Sequence, residues 1–94
     1  MVRPLPGDVI LFARVLSALP KADRAQAARG ILAETAAADR HCRALGRSHP
    51  QFGDGSLAAR LMRAEIPPLT YADDPEFLHA LRIVARAVLK HTAF

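Results

Sequence analysis

The stretch between Pro20 and Gly46 constrains the fold most, because its 25 residues contain no proline and only one glycine, Gly30. Apolar or small side chains recur in it with spacings of 3, 4, 3, 4 and 3 residues: Ala28, Ile31, Thr35, Ala38, Cys42 and Leu45. This spacing predicts one long helix over about residues 20–45, with Pro20 in its first turn and Gly46 as a left-handed cap. We call these six residues the seam. The seam is shorter than the three or four heptads of a coiled coil, so we expect this helix to pack inside a bundle.

Capping residues and prolines mark three further helices. Asp8 fits the N-cap of a helix over about residues 8–19, and Asp54 or Ser56 fits the cap of a short helix over about 56–65. The run Asp74-Pro75-Glu76 is a strong start for a last helix over about 74–91. No segment alternates with period two for long enough to predict a strand. The sequence therefore predicts an all-α, single-domain, four-helix array resembling a bundle, with one long central helix.

The last helix is predicted to be amphipathic. Its inner stripe is Phe77, Leu81, Val84 and Val88, widened by Leu78, Ala85 and Leu89. The outward face is predicted to hold His79, Arg82, Arg86 and Lys90.

Length and composition favour one globular domain in a reducing compartment. The chain has 94 residues, of which 51% are hydrophobic, and its single cysteine excludes a disulfide framework within the chain. No apolar run approaches the roughly 18 residues of a membrane-spanning helix. The unbroken apolar run at the N-terminus, Val9–Ala13, is shorter than the roughly 7–15 residues of a signal peptide core. We therefore expect a cytoplasmic protein with no membrane partner.

The net charge of +4 is concentrated in the middle of the chain. Residues 40–64 contain five arginines and one acidic residue, Asp54: Arg40, Arg43, Arg47, Arg60 and Arg63. Elsewhere the eight basic and eight acidic residues cancel. A solvated surface is the simplest interpretation, because a GC-rich genome produces arginine-rich and alanine-rich proteins without any selection for anion binding.

One hypothesis for this region is an anion site. Arg40, Arg43 and Arg47 follow one another by about a turn, and guanidinium groups suit bidentate anion contacts. The loop residues Gly53, Gly55 and Ser56 would add backbone N–H groups. The alternative is a structural clasp, in which Asp54 or Asp39 pairs with an arginine. His49 and Pro50 then shape a turn, and Phe52 anchors the loop in the core.

A metal or hydrolytic site is less favoured. His41, His49 and Asp54 are close in sequence, but no CxxC, HExxH or paired histidines at helical spacing are present. The same loop contains Ser56, His49 and Asp54, the residue types of a hydrolytic triad, but any loop of this composition would contain such a set. We expect no metal, no cofactor and no catalytic residue. A helix-turn-helix is also not expected, because about ten residues separate the second and third helices. Binding to a nucleic-acid backbone remains open but is not favoured.

The loop carries a resemblance to a known family. The segments His49-Pro50, Gly53-Asp54-Gly55-Ser56-Leu57 and Asp73-Asp74-Pro75 resemble a family of small uncharacterised alphaproteobacterial proteins. The resemblance implies a bacterial, cytoplasmic protein and carries no activity, cofactor or catalytic residue.

The leading hypothesis is a non-enzymatic helical interaction module, whose partner is itself, as a homodimer, or another protein. A small four-helix chain with a nearly all-apolar first helix has more hydrophobic surface than it hides easily. The first alternative is a regulator that binds an anion or a nucleic-acid backbone through residues 40–63. The second is a small metal or hydrolytic enzyme centred on His41, His49 and Asp54.

Overall fold

The computed structural model describes residues 3–92, which form four α-helices. The helices are α1 (Pro6–Ser17), α2 (Lys21–Leu45), α3 (Leu57–Leu61) and α4 (Pro75–Thr92). Among the described residues there is no strand, only an isolated antiparallel bridge between His49 and Gly53. The predicted all-α class is confirmed. None of the described helices has the length and apolar character needed to cross a membrane.

Three helix ends follow the chemistry that the sequence indicates. α2 ends where Gly46 adopts a φ of 69° and donates its N–H to the Cys42 carbonyl at 2.8 Å. The Ser56 hydroxyl caps α3 by accepting the Ala59 N–H at 3.2 Å. The Asp74 carboxylate caps α4 by accepting the N–H groups of Glu76 and Phe77 at 2.9 and 3.0 Å.

Two helix starts differ from the prediction. α1 begins at Pro6, so Asp8 is its third residue and not its cap. From there the Asp8 carboxylate accepts the N–H of Leu5, the capping residue, at 2.8 Å. Pro20 likewise caps α2 instead of lying in its first turn, because its ψ of 143° is extended.

The third helix is shorter than predicted, since it ends at Leu61 and not near Glu65. The chain leaves it through tighter turns, in which Arg63 and Ala64 donate to carbonyls three residues earlier, at 3.2 and 3.0 Å. Pro67-Pro68 excludes helix only beyond residue 66, because proline has no N–H to donate. The earlier end of α3 coincides with these three-residue turns, which take the place of the four-residue hydrogen bonds of an α-helix.

The core lies where α1 crosses α4 and α2. It comprises Phe12, Ala13, Val15, Leu16, Ala28, Ile31, Leu32, Leu57, Leu61, Phe77, Ala80 and Val84. α3 packs against α1 and α2. α2 and α4 run parallel, because the start of α2 contacts the start of α4 and their later turns also face each other.

The predicted seam of α2 is buried over its first four positions, Ala28, Ile31, Thr35 and Ala38. Cys42 is half-buried and Leu45 is exposed, so the seam ends before the helix does. The Thr35 hydroxyl is satisfied inside the core, because it donates to the Ile31 carbonyl at 2.7 Å.

The stripe of α4 is narrower than predicted. Phe77 and Val84 are buried, and Leu81 and Val88 are half-buried. Leu78, Ala85 and Leu89, which were expected to widen this stripe, are exposed instead. The three lie at intervals of seven and four residues, so they form a stripe of their own on the outer side of α4.

Candidate functional site

The loop between α2 and α3 is a tight turn built around His49. The His49 and Gly53 backbones exchange two hydrogen bonds, of 2.7 and 3.1 Å. The His49 Nδ1 atom accepts the N–H groups of Gln51 and Phe52 at 3.0 and 3.1 Å. An accepting Nδ1 carries no proton, so the neutral ring holds its proton on Nε2. The side chain of His49 thus shapes the turn.

The loop rests directly on α2 at Gly55. This glycine has a φ of 97°, and a Cβ atom built on it would lie 2.7 Å from the Cα of Asp39. No other residue type fits that approach without displacing the backbone. At the far side of the loop, Arg63 donates to the Pro50 carbonyl at 2.9 Å. These contacts hold the loop between α2 and the end of α3.

Asp54 and Ser56 are engaged with each other. One Asp54 carboxylate oxygen accepts the Ser56 hydroxyl at 2.7 Å and the Ser56 N–H at 2.9 Å. The first of these bonds is the main reason that the pKa of Asp54 lies below its ordinary value. Within the described chain, no hydrogen bond joins either residue to His49. The arrangement therefore caps α3 and does not align a hydroxyl with a histidine base.

Aromatic rings stack on the outside of this turn. The His49 ring stacks on Phe52 with 4.7 Å between centroids, and His41 meets His49 edge-on at 4.9 Å. Phe52 was expected in the core, but it is half-buried and lies outside the core cluster because His49 holds it over the turn. Over residues 3–92, no group of three His, Cys, Asp or Glu side chains is placed to hold a metal ion.

The arginines of residues 40–64 do not form one cluster. Arg40, Arg43 and Arg47 are exposed, and the Arg43 Nε atom lies 3.2 Å from the Asp39 carboxylate. Arg60 pairs with Glu34 of α2. Arg63 donates to the Pro50 carbonyl. The stretch thus divides into exposed arginines in and just after α2 and structural arginines in and just after α3.

The most connected polar side chain is one that the sequence analysis missed, Arg24. It is 2% exposed, and it donates to three carbonyls at the end of α1, at 2.9 to 3.0 Å: Leu16, Ser17 and Leu19. It also donates to Glu76 and to the His79 Nδ1 atom of α4, both at 2.8 Å. His79, expected to face outward, therefore lies half-buried at the α2–α4 contact. The sequence does carry a signal for the burial of Arg24, because this residue lies four positions before Ala28 and so continues the buried row of α2.

Two grooves flank α4, and neither was predicted. One, of about 390 Å³, lies between α1, α4 and the connector 67–74, and is lined by Ile10, Arg14, Leu69, Thr70, Ala72, Phe77, Leu78 and Leu81. The other lies between α2 and α4 and consists of two adjoining cavities of about 320 and 220 Å³. No sequence pattern indicates either groove, because each depends on the relative placement of segments that are distant in the chain.

The family of the chain follows from comparison with known proteins. Residues 3–88 match the model of a domain of unknown function, DUF7742. Neither a curated protein nor a solved structure matches the chain. The resemblance to an uncharacterised family is confirmed at that level. Since the match covers most of the sequence, the chain belongs to the DUF7742 family, whose function is unknown.

Proposed function

We propose that this protein is a non-enzymatic interaction module that forms a homodimer through the groove between α1 and α4. One observation carries the proposal: three exposed apolar side chains from three separate segments line the same groove. They are Ile10 of α1, Leu69 of the connector and Leu78 of α4, which are 49%, 81% and 46% exposed. We call these three residues the apolar face. Apolar clusters of this kind mark surfaces that another molecule covers.

Charge around Leu78 favours a second copy of the chain as the occupant. Asp73 and Asp74 lie four to five residues before Leu78, and Arg82 lies four residues after it. If two copies of α4 cross antiparallel at Leu78, the acidic end of each meets the basic residue of the other. Such a two-fold contact is self-complementary, as an isologous interface requires. The side chains of Asp73 and Arg82 make no hydrogen bond or ion pair within residues 3–92.

The loop contacts favour a structural role of the loop over an active site. The expected pairing of an aspartate with an arginine across the loop is not its basis, because Asp39 pairs with Arg43 of its own helix and Asp54 binds Ser56. The Ser56 hydroxyl and the Asp54 carboxylate bind each other, and the Nδ1 atom of His49 is used by the turn. These interactions support a protein without catalytic residues. The single cysteine and the family resemblance support a bacterial cytoplasm as its place of action.

The test is the molar mass in solution of the wild type and of two leucine variants. Leu78→Asp places a charge within the apolar face, and we expect it to shift the mass from a dimer to a monomer at micromolar concentration. The matched control is Leu45→Asp, because Leu45 is similarly exposed but lies at the end of α2. A wild type that stays monomeric up to 200 µM, or two variants with the same mass as each other, contradicts the proposal.

A further inference from the structure

Three cations border the second groove, on the side of α4 away from the apolar face. Arg29 projects from α2, and Arg86 and Lys90 project from α4. The rest of the lining is small or apolar apart from His91: Ala25, Leu32, Ala33, Ile83 and Ala87. No acidic residue lines either cavity over the described part of the chain. We call Arg29, Arg86 and Lys90 the basic groove.

Several basic side chains elsewhere in the molecule are bound by groups of the same chain, which these three cations are not within the described residues. Arg24, Arg60 and Arg63 are bound to carboxylates or carbonyls. Over residues 3–92, the three cations of the basic groove make no ion pair and no hydrogen bond. Arg86 and Lys90 are also one turn apart on α4, where like charges repel. An anion bound between the two helices would relieve that repulsion.

The positive surface continues along α2. Arg40 and Arg43 follow Arg29 by 11 and 14 residues, which are three and four helical turns, so all three share one face. The 25 residues of α2 extend over about 37 Å. Arg43 is partly neutralised by Asp39, at 3.2 Å, and Arg40 is exposed. An array of cations along one helix fits a linear polyanion better than a compact one.

We propose that the basic groove and the adjoining face of α2 bind the phosphodiester backbone of a nucleic acid. Guanidinium groups suit phosphate because their planar fork donates two parallel hydrogen bonds. A nucleic-acid strand carries a charge at every nucleotide, which matches cations spread along a helix. Apart from the His91 ring, no aromatic side chain lines the groove among the described residues, so successive bases have no stacking platform there. Binding is therefore independent of base sequence.

The experiment is a fluorescence anisotropy titration with a labelled 20-base-pair DNA duplex at several salt concentrations. Each displaced phosphate counterion contributes about −0.9 to the slope of log affinity against log salt. Contacts from the three cations give a slope near −2.7, and contacts from Arg40 and Arg43 steepen it toward −4.5. We expect the single change Arg29→Gln to reduce the slope by about one unit. The triple variant R29Q/R86Q/K90Q should bind at least tenfold more weakly at 50 mM salt.

The controls separate this surface from the net charge of the protein. Arg63→Gln removes one positive charge on the α3 side, and it should leave the slope unchanged. A duplex RNA of the same sequence tells which nucleic acid binds more tightly, and binding of either duplex supports the proposal. No binding of either duplex at 30 mM salt, or a triple variant that binds like the wild type, overturns it. Displacement of the duplex by poly-L-glutamate at equal charge concentration also overturns it, in favour of an acidic protein partner.

Discussion

At the scale of the residue, Arg24 connects three helices. Its guanidinium group binds carbonyls at the end of α1, where the backbone has no helical donors left, and it reaches Glu76 and His79 of α4. A lysine has one ammonium group and cannot span these partners, which lie in different directions. The side chain thus replaces a C-terminal cap for α1 and fixes the position of α4.

We expect Arg24→Met to lower the free energy of unfolding by about 3 kcal/mol, because it leaves buried carbonyls without donors. The measurement is urea denaturation followed by circular dichroism. The matched control is Arg29→Met, an exposed arginine on the same helix, which should change stability by less than about 0.5 kcal/mol. Equal losses in the two variants contradict this role for Arg24.

Replacement of two glycines by alanine should change the stability of the protein in opposite directions. At Gly55, φ is 97° and a Cβ atom would meet the Asp39 backbone at 2.7 Å, so Gly55→Ala should destabilise by about 1–3 kcal/mol. At Gly30, inside α2, nothing lies within 4 Å of the added atom, and Gly30→Ala should stabilise by about 0.5–1 kcal/mol. Thermal unfolding of both variants checks the pair. A stabilised Gly55→Ala would show that the loop does not rest on α2.

Sequence patterns predicted residue roles where the role depends on near neighbours. Ser56, Asp74 and Gly46 act as caps, as expected, because capping involves residues within one turn. The partners of Arg24 on α4 are 52 and 55 residues away, and no local pattern specifies them. Gly55 was noticed only as a possible donor, since the approach of Asp39 requires the folded loop.

At the scale of the element, α3 depends on its cap, because five residues make too few internal hydrogen bonds to stabilise a helix. We expect Ser56→Ala to cost about 1 kcal/mol by removing the acceptor for the Ala59 N–H and the bond to Asp54. Ser48→Ala, at an exposed position in the same loop, is the control and should be neutral. Guanidinium denaturation gives both values. No difference between them rules out the capping role.

The contact between α2 and α4 should weaken in acid. The hydrogen bond from Arg24, with a smaller contribution from Lys21, lowers the pKa of Glu76 below the ordinary value of 4.5. A carboxylate with a lowered folded-state pKa adds stability above the unfolded pKa, and this stability is lost as the pH falls below 4.5.

We therefore expect the urea midpoint of the wild type to fall more steeply below pH 4.5 than that of Glu76→Gln. Glu65→Gln serves as the control, because Glu65 is exposed and lies outside this contact. A Glu76→Gln profile parallel to that of the wild type excludes the linkage.

The end of a helix was predicted correctly where a single residue type, such as a left-handed glycine, marks it unambiguously. The left-handed glycine ends α2 at the expected residue, whereas α3 stops four residues early, in turns where Arg63 and Ala64 donate to carbonyls three residues before them. The faces of α4 were harder to assign. Leu78 has the spacing of a core residue, but α1 and the connector leave it at the rim of a groove.

At the scale of the whole molecule, composition and periodicity predicted the helical class and not the surfaces. The basic stretch of residues 40–64 divides in the fold, because Arg60 and Arg63 hold α3 and its loop. Arg29, Arg86 and Lys90, far apart in sequence, meet at one groove. The apolar face similarly combines three segments. Such surfaces depend on helix packing, which the spacing of residues in a single chain does not specify.

The homodimer is the central claim, and a charge-reversal cycle measured by sedimentation equilibrium tests it most directly. Asp73→Lys and Arg82→Glu each place like charges opposite each other in the antiparallel pair, and we expect either one to raise the dissociation constant about three- to tenfold. The double variant restores opposite charges and should regain an affinity close to that of the wild type. The proposed dimer is contradicted if the effects of the two changes on the dissociation constant add in the double variant, or if the wild type forms no dimer.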